Sequence, residues 1–412
     1  MSSVSEQPDR ITGRVTAVDQ QCIRLWREDQ ILTFFLGNNL QPICAPGDLV
    51  EVSLDKSGTC TGLSVLAKPI AGHDDPLRWR KPDRRGRTRM EHLRFRHALI
   101  RRVEAWFDKA GFLQVQMPAL LPSVNPEAHF QFIRGEDHIL STSPELQMKR
   151  MLVGGFEKIV SLGACYRGHE RSARHNPEFW MLEWYRVGAS LEMVMEDTEE
   201  IVRVTAHLSP WVDSDGNLHL EDGTHVALSG PRWPRVPVSQ HILQETGVDI
   251  DGCLDVSSLG DRMRSRGMDV PDDEEFEQLF SRLWAASEPG LPRETPCFVT
   301  DWPAPVASLA RLSPGRPWVA ERAELVIAGL ELSNGFCELT DSREQAARFA
   351  AETVTRSHRG LPPVPSDGTF IASLNAGMPP SAGMALGFDR LVMLLSGAAS
   401  IRDVLTFSSD EL

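Results

Sequence analysis

The chain has 412 residues, 41% hydrophobic and 24% charged, with 57 acidic side chains against 43 basic ones and a formal net charge of −14. This length suits one large domain with a buried core, or that domain plus a small companion, and the composition excludes a disordered chain. The acidic balance argues against a broad nucleic-acid-binding surface and leaves room for a local basic patch. No charge-free apolar run reaches the roughly 18 residues of a membrane helix, and the polar start MSSVSEQPDR lacks a signal-peptide core. Seven scattered cysteines without a CxxC pair argue against structural zinc or a disulfide framework and for free thiols in a reducing cytosol.

In chain order, residues 10–70 alternate short β-type runs (ITGRVTAV, CIRLWR, ILTFFLG, LVEVSL, GLSVLA) with Gly, Pro, Asp and Asn breaks. Five strands at this spacing predict a small OB-like β-barrel over residues 1–72. Its charges are nearly balanced and its aromatic pair is limited to Phe34 and Phe35, so a structural or protein-docking role fits at least as well as nucleic acid. Residues 73–90 read as a basic linker. Between Arg78 and Arg102 eleven Lys/Arg stand against two acidic residues, either as a solvated face or as a docking strip for an acidic macromolecule. From His92 to Phe107, Leu93, Leu99, Val103 and Trp106 approximate a helical stripe. Beyond it strands and helices mix without βαβ regularity, which predicts an α+β domain over 91–412 built on an antiparallel sheet. Residues 208–295 read as a helical insertion, with one helix over Glu274 to Trp284. There is no GxxxxGK[ST] phosphate loop.

Chemistry-bearing residues concentrate in three places. Residues 141–186 set Arg150, Arg167, Arg171 and Arg174 among His169, His175, Asn176, Glu178 and Glu183. Guanidinium forks match phosphate oxygens, and Phe179 beside them would suit a nucleotide; a surface ion-pair network is the plainer reading. In residues 320–345, Glu324, Glu331 and Glu338 recur every seven residues, but Gly329, Asn334 and Gly335 break a helix. As strand, turn and strand they converge on a pocket, where carboxylates call for a divalent metal, an ammonium group or both. GMALGFDRLVMLLSG puts Gly387 and Arg390 where a strand meets an apolar helix, a setting for polyphosphate.

These segments resemble class II aminoacyl-tRNA synthetases over about residues 88–412. GFLQVQMPAL is similar to motif 1, with Pro118 at the position that lies at the dimer interface; YRGHERSARHNPEF is similar to motif 2, and GMALGFDR to motif 3. SPELQMKR, RHNPEFWMLEWYR and ELSNGFCELTD most resemble lysyl-tRNA synthetases and their paralogue, the ligase that attaches (R)-β-lysine to elongation factor P. The resemblance implies a homodimeric enzyme that uses ATP and Mg²⁺. Arg167 would hold the α-phosphate and the amino acid carboxylate, and Arg174 and Arg390 the outer phosphates. Gly168, His169, His175, Asn176, Leu332 and Gly387 would surround the nucleotide, with Phe179 stacked on adenine. Glu324 and Glu331 would hold the metal, Glu331 also facing ATP. Ser143, Pro144, Glu145, Glu183, Tyr185, Asn334, Phe336, Glu338 and Ala385 would line the amino acid site.

Motif 2 departs from the usual Phe-Arg-x-Glu, reading Tyr166, Arg167, Gly168, His169 and then Glu170. Either His169 substitutes, Glu170 moves in, or activation is weakened. Ser143 and Ala385 stand where lysyl-tRNA synthetases usually carry smaller residues, and DWPAPVASLARLSP and VLTFSSDEL also resemble the protein-modifying ligase. The expectation is a cytoplasmic enzyme that activates (R)-β-lysine or lysine and transfers it to a lysine ε-amino group of elongation factor P. The N-terminal barrel departs from that ligase and keeps two alternatives in view: a lysine-type synthetase or other amino acid ligase, with tRNA among the acceptors, and a non-catalytic ligand-binding paralogue.

Overall fold

The computed structural model describes residues 9–27, 30–38, 40–70, 75–128, 130–271, 274–365 and 367–412. Most of the polar N-terminus and the first residues of the basic linker lie outside these. Two compact units divide the chain, Met1–Met90 and Glu91–Leu412.

In the first unit, strands Asp9–Val18, Cys22–Arg27, Gln30–Phe35, Leu49–Leu54 and Cys60–Ala67 form one antiparallel sheet, with the third and fifth at its ends. A parallel bridge from Leu36 to Cys60, with the Gly37 N–H donating to the Cys60 carbonyl at 2.9 Å, brings those ends together in an OB-like manner. Alternate residues point inward, so Val15, Ile23, Leu25, Phe34, Val50 and Val52 share one small core. Residues 75–90 are more than a linker. They hold a 3₁₀ turn at Arg78–Arg80 and a bridge between Pro82 and Thr88, and the Arg80 guanidinium lies 3.9 Å over the Trp26 ring. The basic run is therefore split, since Arg94 to Arg102 ride on a helix of the second unit.

The second unit is built on a sheet whose six central strands are antiparallel neighbours. In order they are Cys297–Pro303, Arg316–Ile327, Leu330–Cys337, Ser381–Gly387, Glu178–Val187 and Lys158–Tyr166. The outer strands correct the all-antiparallel expectation: Arg235–Pro237 and Leu113–Gln114 pair in parallel at opposite ends. A parallel neighbour needs a long crossover, and residues 115–157 and 238–296 supply one each, both containing helices. Arg235–Pro237 also ties the region read as an insertion into the main sheet. Its helix runs Phe276–Ser287 and starts from a capping box between Glu275 and Gln278.

Helices cover both sheet faces. Arg89–Lys109, Leu191–Ala206 and Phe388–Ser396 share one core with Leu182, Trp184 and Leu386, while Glu145–Val153, Val238–Thr246 and Phe276–Ser287 pack into the other with Ile159 and Val299. The buried stripe of Arg89–Lys109 is His92, Phe95, Leu99, Val103 and Phe107; it keeps Leu99 and Val103 of the stripe read in the sequence and has His92 and Phe107 in place of Leu93 and Trp106. Phe107 meets Trp184 edge-on at 5.5 Å, whereas Trp106 sits at the margin and donates its indole N–H to Glu200. Leu99 is fully buried in this stripe. Leu99→Ala should cost about 2–5 kcal/mol in the urea transition of the second unit; a loss below about 1 kcal/mol would contradict this packing.

Candidate active site

The central strands open onto a cavity of about 470 Å³ within the second unit. Strand register builds its floor in two rows. Glu183, Ala385, Asn334 and Glu324 are successive partners across four strands, and Tyr185, Gly383, Phe336 and Arg322 form the next row. Because side chains alternate, Phe179, Met181, Glu183 and Tyr185 face the cavity while Leu182 and Trp184 enter the opposite core. Gly383 is needed in its row: a Cβ there would lie 2.4 Å from the Tyr185 ring and 2.7 Å from Glu338.

One end of the cavity gathers carboxylates. Lys149 is wholly buried and reaches Glu145 and Glu338, both at 2.5 Å. Burial opposes its charge, yet these two carboxylates hold its pKa above the ordinary lysine value. Ser143 donates its hydroxyl to Glu183 at 2.7 Å and Tyr185 donates to the same carboxylate at 3.1 Å. Burial, followed by the Glu145 charge, pushes Glu183 up to about 8, and burial also raises Glu338 against the pull of Lys149. Three carboxylates thus share one ammonium group, a set that accepts a further cation. Since Glu183 is protonated in the free protein below about pH 8, an incoming ammonium must displace that proton. An amino acid with a second ammonium group should therefore release protons on binding at pH 7 and bind more tightly as pH rises from 6 toward 8. Calorimetry in buffers of different ionisation enthalpy checks this, and identical heats would contradict it.

The other end gathers arginines. Arg390 donates to His175 Nε2 at 2.6 Å and to the Glu331 carbonyl at 2.9 Å. Arginine only donates, so Nε2 accepts and the Nδ1–H points to the Ser172 hydroxyl at 2.8 Å. Burial first, then Arg390, lowers the His175 pKa, consistent with a neutral ring. Arg174 reaches the Gly329 carbonyl at 3.3 Å, and Asn176 donates to the Glu178 carbonyl and accepts from the Ser409 N–H. The Arg167 guanidinium lies over two rings, 4.2 Å from the centre of Phe130 and 5.1 Å from that of Phe179. Asp389 accepts from the Trp180 N–H and pairs with Arg96, joining the start of the Phe388–Ser396 helix to the neighbouring strand. A row of arginines beside an aromatic ring fits a polyphosphate with a base.

Glu324 and Glu331 lie on adjoining strands and both line the cavity. Burial raises the Glu324 pKa; Arg322 opposes the rise through its contact with the carboxylate, and Glu331 adds to it. No three metal-ligating side chains come together among the described residues. Two carboxylates beside a phosphate site fit Mg²⁺, which keeps waters and takes phosphate oxygens.

The cavity brings together Ser143, Glu145, Arg167, Arg174, His175, Asn176, Phe179, Glu183, Tyr185, Glu324, Glu331, Leu332, Asn334, Phe336, Glu338, Ala385, Gly387 and Arg390. Pro144, Gly168 and His169 are not on its wall. His169 has a φ of 63°, in the left-handed region, and lines a separate hollow with Phe132, Ile133 and Arg171, while Glu170 takes its place at the cavity. Sequence reasoning missed Lys149, Arg322, Phe130 and Gly383. For Lys149 a signal existed, as it follows Glu145 by one helical turn.

Comparison with known proteins adds the following. The family model for class II tRNA synthetases (D, K and N) matches residues 74–411. A lysine–tRNA ligase of Carboxydothermus hydrogenoformans is 34% identical over 319 residues, 76% of this chain and 64% of that protein. An elongation factor P–(R)-β-lysine ligase of Vibrio vulnificus is 33% identical over 330 residues, 77% of this chain and 95% of that protein. The Klebsiella pneumoniae protein of the same name is 33% identical, with 76% and 94% covered. The chain thus spans just under two thirds of the lysine–tRNA ligase and nearly all of the two protein ligases. No helix among the described residues is long and apolar enough to cross a membrane, and all seven cysteines are free.

Proposed function

The chain belongs to the class II tRNA synthetases (D, K and N), and on that premise we propose that it activates lysine or (R)-β-lysine with ATP and passes it to a lysine ε-amino group of elongation factor P. The observation that carries the substrate is the trio Glu145, Glu183 and Glu338 around the single buried Lys149. Once the Glu183 proton is displaced, its surplus negative charge complements an amino acid with two ammonium groups, and the arginines next to it complement ATP.

In this reading Arg167 draws the amino acid carboxylate into line with the α-phosphate. A carboxylate oxygen attacks phosphorus and pyrophosphate departs, with Arg174 and Arg390 offsetting charge on the leaving group. Glu324 and Glu331 would hold Mg²⁺, which would supply further charge neutralisation. The acceptor amine then attacks the adenylate carbonyl, an amide forms, AMP leaves and the amine proton passes to solvent. Acid–base demands are slight, so the residues act by positioning and charge. Lysine-dependent exchange of pyrophosphate into ATP should be measurable, and Arg167→Ala should lower its rate by a factor of order 10² to 10³. An exchange rate unchanged by that substitution would remove Arg167 from the mechanism.

Three observations support elongation factor P as acceptor. The protein-ligase relatives are covered almost end to end, the chain is acidic overall, and Ser143, hydrogen-bonded to Glu183, and Ala385, its cross-strand partner, stand where a shifted amino group would sit. A basic segment around Arg84, Arg85 and Arg87 is sized for an acidic protein face better than for a long polyanion. The exposed Leu113 and Leu120 flanking Pro118, 50% and 59% accessible, favour a homodimer through this region. The OB-like first unit favours a second reading, a lysine-type synthetase charging tRNA. A paired assay separates them: intact-protein mass of elongation factor P and acid-precipitable label on bulk tRNA, from one preparation with lysine and (R)-β-lysine. We expect a mass increase, slowed when Arg84, Arg85 and Arg87 become Glu. Efficient tRNA charging without a mass increase would promote the second reading.

A further inference from the structure

Arg167 differs from the other arginines of the cavity. Arg390 and Arg322 are fixed by hydrogen bonds to the protein, but no protein carbonyl or carboxylate among the described residues holds the Arg167 guanidinium, and its Nε has no hydrogen-bond partner. What surrounds it is aromatic, Phe130 at 4.2 Å and Phe179 at 5.1 Å.

Phe130 comes from the loop after Leu121, and three contacts fix its place. Arg356, on the helix Ser342–His358, is only 2% accessible. It donates to the carbonyls of Glu127 at 2.6 Å, Phe130 at 2.9 Å and Pro362 at 3.0 Å. A buried guanidinium is costly, and this one serves to hold two loops together. The next residue, Gln131, forms a bridge with Gly168, whose N–H donates to the Gln131 carbonyl at 2.7 Å. A Cβ at position 168 would come within 2.7 Å of that same oxygen, so glycine permits the approach. Gly168 adjoins Arg167, and pinning Gln131 against it sets the Phe130 ring over the guanidinium.

We propose that Phe130 is a positioning residue for Arg167: with Phe179 it holds the guanidinium by its faces and leaves the terminal N–H groups, which unlike the Nε are not buried, for the nucleotide phosphate and the substrate carboxylate. The flat, delocalised cation stacks on rings without spending its N–H groups, which a lysine could not do. This rests on the ATP-activating reading above and adds to it the means by which the reacting groups are aligned.

The test is a double-mutant cycle on ATP affinity in the presence of Mg²⁺, by calorimetry on the full chain. Phe130→Leu keeps apolar bulk and removes the ring, Phe130→Tyr keeps the ring, and Arg167→Gln removes the cation. Phe130→Leu should weaken ATP binding about fivefold, Phe130→Tyr should stay within about twofold of wild type, and Phe130→Leu should cost less than about twofold when Arg167 is already Gln. Thermal midpoints should match across the Phe130 variants. Wild-type affinity in Phe130→Leu, or an equal loss in the Arg167→Gln background, would overturn the proposal. If the coupling appears but lysine-dependent pyrophosphate exchange does not, the activation reading fails while the role of Phe130 stands. If the wild-type chain binds no ATP, both fall.

Discussion

Lys149 is a charged side chain with no access to water, and it stays charged because Glu145 and Glu338 press against it. Removing any member of such a group leaves a buried charge uncompensated, at a cost of about 3–5 kcal/mol. That penalty fixes the helix Glu145–Val153 against Glu338, the residue just after the strand Leu330–Cys337, and sets where the cavity ends. It also sets the chemistry. With Glu183 added, the group carries more carboxylate than its own cation can balance, and burial makes the imbalance felt as a raised pKa rather than as counterions.

The sheet distributes these charges by register. One row runs Glu183, Ala385, Asn334, Glu324 and the next Tyr185, Gly383, Phe336, Arg322, so the metal-type carboxylate and the amino-acid-type carboxylate are three strands apart on one surface. A one-residue slip in any pairing would turn these side chains into the opposite core. The apolar packing of Trp184 and Leu386 on the far side therefore protects the site's geometry as well as the unit's stability.

Much of this was legible in the sequence where chemistry is locally encoded. Short β-type runs between Gly, Pro, Asp and Asn breaks marked the barrel strands, and arginines within a few residues of Phe179 marked the basic end of the cavity. Four features escaped for identifiable reasons. The helical stripe was misread only at its ends, Leu93 for His92 and Trp106 for Phe107; Trp106 is aromatic yet spends its N–H on Glu200 at the margin. His169 looked like a motif residue, but its left-handed backbone turns it out of the cavity and hands the position to Glu170. Phe130, Arg322 and Gly383 owe their places to tertiary pairings, which no local pattern announces. The parallel outer strands were hidden likewise, each being two or three residues long.

The strand Ser381–Gly387 lies in the middle of the sheet, between Glu178–Val187 and Leu330–Cys337, yet it leaves the ribosome after both of them. Until it arrives, both neighbours expose an unpaired edge, the state most open to wrong pairing with another chain. A nascent chain therefore carries most of its arginines and carboxylates before it has a floor on which to arrange them. Assembly of the cavity is in effect a late, all-or-none event, and a truncated product would own the parts of a nucleotide site without forming one.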